Sequence, residues 1–273
     1  MDFEKYQRQI SHPKVGVNGQ QHLQAAKVLV VGAGGLGCPI LQYLAAAGVG
    51  MLGIVDGDVV TKSNLPRQIL FSEFHLGKLK TECAAEKLIE MNPSISISTF
   101  PTYLNNKNAV EIIRNWDVIV DATDDFATRY LLNDACVLLE KPIVYGAIFS
   151  EEGQVAVFNL KIGNDYSSNY RDLFPQPPAK GEVPTCVELG VIGVLPGTIG
   201  LLQANEVIKI ITKSENNLSN KLLVFNLSTY DSTIFDVEKN DALKIPSTQN
   251  ESENFDYNLF CGSIEKVSEN NFS

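Results

Sequence analysis

At 273 residues and 44% apolar content, the chain can bury a sizeable core without covalent staples, which excludes a disulfide-dependent miniature fold and a disordered polymer. Its formal charge of −10 and the lack of any Lys/Arg-rich run argue against a nucleic-acid partner. Neither end reads as a charged-then-apolar leader and no apolar run reads as long enough to cross a bilayer, so the expectation is no membrane partner and a cytoplasmic location.

In chain order, the first strong element is a strand over 27–31 that runs into Gly32-Ala-Gly34-Gly35-Leu-Gly37 and then into a helix over 35–47. Glycines 32, 34 and 37 permit a tight turn, close approach of a phosphate to the backbone, and close helix-on-strand packing, so this reads as a phosphate cradle. A strand over 52–55 ends in Asp56-Gly-Asp58 and puts Asp56 at the distance where dinucleotide folds hold a ribose; Asp58 reads as a turn residue. The alternation continues with a helix over 78–91, a strand over 95–100, a short helix over 108–115, a strand over 117–121, a helix over 126–139 and a strand over 143–145. This predicts an α/β fold with a doubly wound, mainly parallel Rossmann-like sheet.

Past Gly153 the grammar changes. Strands over 154–160, 221–227 and 232–237 meet through hairpin-like links, an antiparallel extension. Residues 162–186, with prolines at 175, 177, 178 and 184, read as a long lid. An apolar helix over 188–212 carries glycines at 190, 193, 197 and 200, so its first turns are expected against another backbone. From 241 onward an Asn/Ser/Glu-rich tail reads as partly disordered, with Phe255, Tyr257 and Phe260 available to dock it locally. The five cysteines, 38, 83, 136, 186 and 261, form no CxxC pair and suit reduced thiols; 38, 83 and 136 lie in apolar helical patterns.

Charged residues gather at the predicted strand ends. Ser63-Asn64-Leu65-Pro66-Arg67-Gln68 follows Asp56, Gly77-Lys78-Leu79-Lys80 opens a helix, and Asp121-Ala-Thr-Asp124-Asp125 closes the strand over 117–121. Two cations and a carboxylate at the ligand-binding edge suit a nucleoside triphosphate, with Arg and Lys against the phosphates and an Asp for Mg²⁺; Asp125 is the better cap candidate for the following helix. A nicotinamide enzyme would share the glycine loop but has no use for those three together.

The glycine loop, the D-x-D-x-V-x-x-S-N-L-x-R-Q run at 56–68, the G-x-x-K helix start, the D-A-T-D strand end and the upstream Tyr6-Gln7-Arg8-Gln9-Ile10 together resemble the ThiF/MoeB/HesA adenylyltransferases, relatives of the catalytic half of ubiquitin-activating enzymes, over about residues 3–240. The resemblance implies a single adenylation domain over 1–240, its nucleotide-binding half about 1–150, its extension and lid about 151–240, and a tail over 241–273. It implies joining of the C-terminal Gly-Gly carboxylate of a small ubiquitin-like sulfur carrier, of the molybdopterin-synthase or thiamine type, to the α-phosphate of ATP, with release of pyrophosphate. Gly32, Gly34, Gly35 and Gly37 would lie along the nucleotide, Asp56 would accept from the ribose, Asn64, Arg67 and Lys80 would contact phosphates, and Asp124 would hold Mg²⁺. Arg8 would reach the phosphates of the other subunit of a homodimer. Cys186 matches a cysteine that in relatives is a candidate for a thioester or acyl disulfide. Relatives usually hold a structural zinc on two CxxC pairs; here the first reads Asn169-Tyr-Arg-Asp172 and the second ends in Asn258-Leu-Phe-Cys261, so no zinc site is expected and the lid and tail are expected to be less firmly anchored. Two other classes share parts of this pattern: an NAD-dependent oxidoreductase and a non-catalytic scaffold partner.

Overall fold

The structure, a computed structural model, describes residues 2–179, 182, 190–240 and 242–262. Ten strands are present among them: β1 (Lys27–Val31), β2 (Met51–Val55), β3 (Ser96–Phe100), β4 (Val118–Asp121), β5 (Ile143–Phe149), β6 (Glu152–Phe158), β7 (Lys161–Ile162), β8 (Asp165–Tyr166), β9 (Lys221–Asn226) and β10 (Ser232–Asp236). Eight of them form one sheet in the order β10-β9-β6-β5-β4-β1-β2-β3. The five from β3 to β5 are mutually parallel; β6, β9 and β10 continue the sheet antiparallel, as expected for an extension of a doubly wound half.

The central strand β1 reads Lys-Val-Leu-Val-Val because it is covered on both faces. Val28 and Val30 join a cluster with Leu41, Leu44, Leu88 and Val207, while Leu29 and Val31 join the opposite cluster with Trp116, Tyr130 and Phe158. Each large side chain buried this way contributes about 1.5–3 kcal/mol. From β1 the chain builds β2 and β3 on one side, then crosses back to lay β4 on the other. That reversal opens a crevice at the C-terminal ends of β1 and β4, the place where open α/β sheets take ligands.

The helices are α1 (Phe3–Ile10), α2 (Gly16–Ala25), α3 (Gly37–Ala47), α4 (Lys80–Met91), α5 (Ala109–Ile113), α6 (Phe126–Leu138), α7 (Tyr170–Leu173), α8 (Val194–Ile211), α9 (Gln249–Asn254) and α10 (Tyr257–Phe260). The periodicity places α3 to α6 within two residues at every end and passes over α1 and α2. It erred in three places. The helix expected from 188 begins at Val194, because Gly190 takes φ +74° and Gly193 is the cap. The first part of the expected lid is folded as the β7–β8 hairpin and α7. Finally, α8 is long and apolar enough to cross a membrane by length and composition, although no such run was expected; half of it is buried inside the fold, packed on α3, β5 and β6, with Gln203 and Glu206 among its buried residues.

Residues 242–262 of the expected tail carry α9 and α10, which lie on α6. Phe255, Tyr257 and Phe260 do dock it, in the same aromatic cluster as Tyr130 and Tyr170.

Candidate functional site

The glycine loop leaves β1 at Gly32, whose φ of +100° lies where an L side chain is strained. A Cβ there would also stand 2.6 Å from the Ala122 carbonyl oxygen, so β1 and β4 are drawn together at the crevice. A Cβ at Gly37 would collide with the Gly32 carbonyl, which is why the first turn of α3 can fold directly back on the strand it follows. Gly34 faces Gln68 Nε2, and Gly35 faces Pro196 of α8 and the Arg67 side chain. The Arg67–Gln68 step, the Ala122 step and the start of α8 therefore converge on the loop. The close approach of α8 to other backbone is realised at Gly193, whose Cβ would strike the Pro66 carbonyl oxygen.

Asp56, at the end of β2, is locked by two backbone donors: the Ala33 N–H to Oδ2 and the Asp58 N–H to Oδ1, both at 2.8 Å. Burial pushes its carboxyl above the usual carboxylate range, outweighing the Lys80 charge and both backbone donors. Lys80 opens α4, is buried, and puts its ammonium 2.7 Å from Asp58 Oδ2 and 4.0 Å from Asp56 Oδ2. Asp58 also accepts the Tyr103 hydroxyl. Burial works against ionisation of Asp58, but the Lys80 and Tyr103 hydrogen bonds and the Lys80 charge hold it below the usual range. The turn reading of Asp58 missed this; the signal available was its spacing two residues from Asp56, which brings it to the lysine on the same side of the sheet.

Arg67 donates from Nη1 to the Ser63 carbonyl at 3.0 Å and has no carboxylate partner among the described residues. Asn64 turns the backbone toward it, its carbonyl accepting from the Arg67 and Gln68 N–H groups. Gln68 is buried beside Gly34, its Oε1 without a hydrogen-bond partner among the described residues; the motif alone assigns it no role.

Asp124 is exposed and makes no hydrogen bond among the described residues, whereas Asp125 caps α6 by accepting from the Ala127 and Thr128 N–H groups at 3.1 and 2.8 Å. The turn carrying Asp124 is braced from below. Asp121 is fully buried, accepts from the Thr123 N–H and hydroxyl, and lies 3.4 Å from Arg129 Nε of α6; Arg129 also donates to the Thr123 carbonyl at 3.0 Å. Sequence reading did not separate this buried strut from Asp124, since both carboxylates sit in the same D-A-T-D string.

Arg8 is exposed on α1, at the other end of the sheet from the crevice. Its neighbour Tyr6 packs on Gly48, the residue that ends α3 just before β2, and bonds Asn92, the residue that ends α4. The eleven residues of α3, about 16 Å of helix, separate that end from the glycine loop. Cys186 lies outside the described residues. With α8 starting at Val194, the dipole of that helix no longer argues for a reactive thiol eight residues earlier in the chain.

The positions where relatives carry zinc cysteines hold other chemistry. Asn169 and Asp172 form a capping box on α7, with Asp172 Oδ2 accepting from the Asn169 N–H and side-chain amide. Between them Arg171 makes a buried bidentate pair with Asp134 of α6, both bonds at 2.7 Å, and its guanidinium stacks on Tyr130, Phe255 and Phe260. Tyr257 donates to the same carboxylate at 3.0 Å. Burial pushes the Cys261 thiol up to about 11. The weaker anchoring expected of this region is thus answered by an ionic and aromatic clamp at its centre. Cys38, Cys83 and Cys136 are buried, in keeping with the core role expected of them.

The chain resembles known proteins along nearly its whole length. The chain is 43% identical over 263 residues to the "Sulfur carrier protein adenylyltransferase" of Thermus thermophilus, covering 96% of this chain and 97% of that one. It is 43% identical to the "Probable adenylyltransferase/sulfurtransferase MoeZ" of Mycobacterium tuberculosis and 45% identical to the "Adenylyltransferase and sulfurtransferase MOCS3" of Culex quinquefasciatus, spanning 66% and 59% of those longer proteins. Among solved structures, E. coli MccB with ATP superposes with a TM-score of 0.76 at 24% identity, covering 89% of this chain and 75% of that one, a likeness of fold alone. The ThiF family pattern matches residues 6–245, and with the glycine loop, Asp56, Arg67, Lys80 and Asp124 gathered at one crevice the chain belongs to the ThiF family.

Proposed function

We propose that this chain is an ATP-dependent adenylyltransferase that activates the C-terminal carboxylate of a small ubiquitin-like sulfur carrier as an acyl adenylate, releasing pyrophosphate. The observation that carries the reading is the pair of unpartnered charges at the mouth of a glycine-lined crevice. Arg67 has no carboxylate and Asp124 has no hydrogen bond among the described residues, while the buried charges Lys80, Asp121, Arg129, Asp134 and Arg171 are paired. The family membership and the names of the relatives support the same activity.

The residues fit a triphosphate. Neighbours would exclude a Cβ at Gly32 and Gly37 and crowd one at Gly35, so the loop is bare and leaves backbone N–H groups at the start of α3 to face an anion. Asp56, fixed by two backbone donors, accepts from the ribose hydroxyls. Asn64 and Arg67 hold the phosphates, and Lys80 reaches them from the start of α4. Asp124 is the residue that would hold Mg²⁺, which when bound offsets phosphate charge. A carboxylate is already a competent nucleophile, so the chain needs no general base; its work is to align the carrier's terminal carboxylate with the α-phosphorus and offset the charge of two anions.

That charge exceeds what one copy supplies. Lys80 is already matched by Asp58, which leaves Arg67 as the uncommitted cation among these residues, against a triphosphate of about four negative charges. A magnesium ion at Asp124 and an arginine from a second copy would make up the difference. Arg8, standing at the far end of the sheet from its own crevice, is suited to serve another copy's site and unsuited to its own. The reading therefore includes a homodimer, a single adenylation unit over 1–240, and a cytoplasmic location.

The test is ATP–pyrophosphate exchange with a carrier ending in Gly-Gly. Exchange that depends on the carrier and on Mg²⁺ supports the reading; ATP binding without exchange, in the presence of a carrier that co-purifies, would favour the scaffold alternative. A Cys186→Ala variant should retain exchange, since the thiol would act after the adenylate forms.

A further inference from the structure

Asp58 lies outside the set of residues given a role above, yet it holds the nearest acceptor to a buried lysine. Its Oδ2 takes the Lys80 ammonium at 2.7 Å, and its Oδ1 takes the Tyr103 hydroxyl. Tyr103 comes from the segment after β3 and lays its ring over Gly57, where a Cβ would stand 2.7 Å from the ring carbons. The backbone between the two aspartates is thereby pinned from above. Asp56 is the competing acceptor: its Oδ2 stands 4.0 Å from the same ammonium and has already accepted the Ala33 N–H.

A buried ammonium does not stay without an acceptor. If Asp58 were absent, Lys80 would close the remaining gap onto Asp56 and occupy the lone pairs that face a ribose. We infer that Asp58, held by Tyr103, is a positioning residue that keeps Lys80 off Asp56 and so keeps the Asp56 carboxylate free to read ribose hydroxyls. The inference rests on the proposed role of Asp56 in nucleotide binding and adds to it how ribose recognition is protected from the lysine beside it. Three groups then divide the work: Asp56 recognises the sugar, Lys80 serves the phosphates, and the Asp58–Tyr103 pair keeps the two apart.

The readout is ribose discrimination, which general loosening of the fold would not change. Dissociation constants for Mg·ATP and Mg·2′,3′-dideoxy-ATP are measured by calorimetry on the full chain, for wild type, Asp58→Ala and Tyr103→Phe. Hydroxyl hydrogen bonds to an ionised carboxylate predict that wild type prefers ATP by about 30-fold. In Asp58→Ala the preference should fall to about threefold, mainly through weaker ATP binding, with dideoxy-ATP changed little. Tyr103→Phe removes one hydroxyl from an exposed ring and should fall between the two, which keeps the test available if Asp58→Ala folds poorly. A wild-type preference retained in both variants would overturn the inference alone. A wild type that binds the two nucleotides equally would overturn the ribose role of Asp56, and this inference with it.

Discussion

Replacing Arg171 by Met removes the guanidinium that joins α7, α6 and the docked tail while keeping a side chain of similar length. Two hydrogen bonds of 2.7 Å to Asp134 are lost, along with stacking on Tyr130 and Phe260 at 4.9 Å and on Phe255 at 5.6 Å. Asp134 has no exposed surface, and its remaining donors, the Tyr257 hydroxyl and the Asn133 amide, are neutral. Stranding one member of a buried pair costs about 3–5 kcal/mol. At the few degrees per kcal/mol expected for a chain of this size, the melting temperature should drop by roughly 10 °C. Differential scanning calorimetry with and without a chelator measures both halves of the argument. The chelator should leave the wild-type transition where it is, because the clamp supplies the anchoring. Combining Arg171→Met with Asp134→Leu should recover much of the loss, since an apolar pair of similar volume removes the buried charge. A single variant that loses under 1 kcal/mol, or a double variant as unstable as the sum of the singles, would refute the reasoning.

Arg67→Ala and Asp124→Ala should lower ATP–pyrophosphate exchange by about 100-fold or more while each shifts the melting temperature by no more than roughly 2 °C, because neither side chain pairs with another charge among the described residues. Mixing Arg8→Ala with Arg67→Ala, each inactive alone, should restore about a quarter of wild-type exchange if Arg8 serves the partner's site, since half the dimers are mixed and each has one intact site. No restoration after subunit exchange, checked by native mass spectrometry, would count against the trans role. ATP affinity should weaken on acidification at a higher pH than an ordinary carboxylate would give, because the ionised Asp56 accepts the ribose and burial raises its pKa. The sign for stability is opposite: with the folded pKa above the unfolded one, the contribution of Asp56 is fully present below the unfolded pKa and lost as pH rises through the folded value, which a urea titration against pH would follow.

Most of the parallel half was legible because its strands are buried on both faces and its helices on one, so period and length alone located them. The glycine loop was legible because three glycines at fixed spacing between strand and helix have few other uses. What escaped depends on contacts distant in sequence. The start of α8 lies six residues later than expected because the apolar run continues through Gly190, whose positive φ breaks the helix, and Gly193, which must be glycine to pass the Pro66 carbonyl. The β7–β8 hairpin and α7 were hidden in a proline-bearing stretch, since α7 is fixed by a capping box and by Arg171 reaching a helix 37 residues away. Helix α2 lacks a strong apolar stripe, and α1 is amphipathic but short and buries only Tyr6; both cover the N-terminal edge of the sheet through polar contacts such as Gln9 and Gln20 on the Ala47 carbonyl.

The charges of this chain sort by whether the fold already answers them, and α6 is the element that does the sorting. It begins with the Asp125 cap immediately after Asp124, carries Arg129 one turn on, and carries Asp134 further along the same helix. Helical side chains lean toward the N-terminus, so Arg129 reaches back to Asp121 and the Thr123 carbonyl and fixes the turn on which Asp124 stands. Asp134 receives Arg171 and the tail on the helix's other end. The clamp and the Asp124 turn are thus two ends of one rigid body. Loosening the clamp should reach the site as a shift of the Asp124 turn, whereas removing Asp124 leaves the body intact. Arg67 and Asp124, which have no partner of opposite charge among the described residues, stand on backbone held in place by the buried pairs behind them, so a ligand of opposite charge meets groups that need little reorganisation.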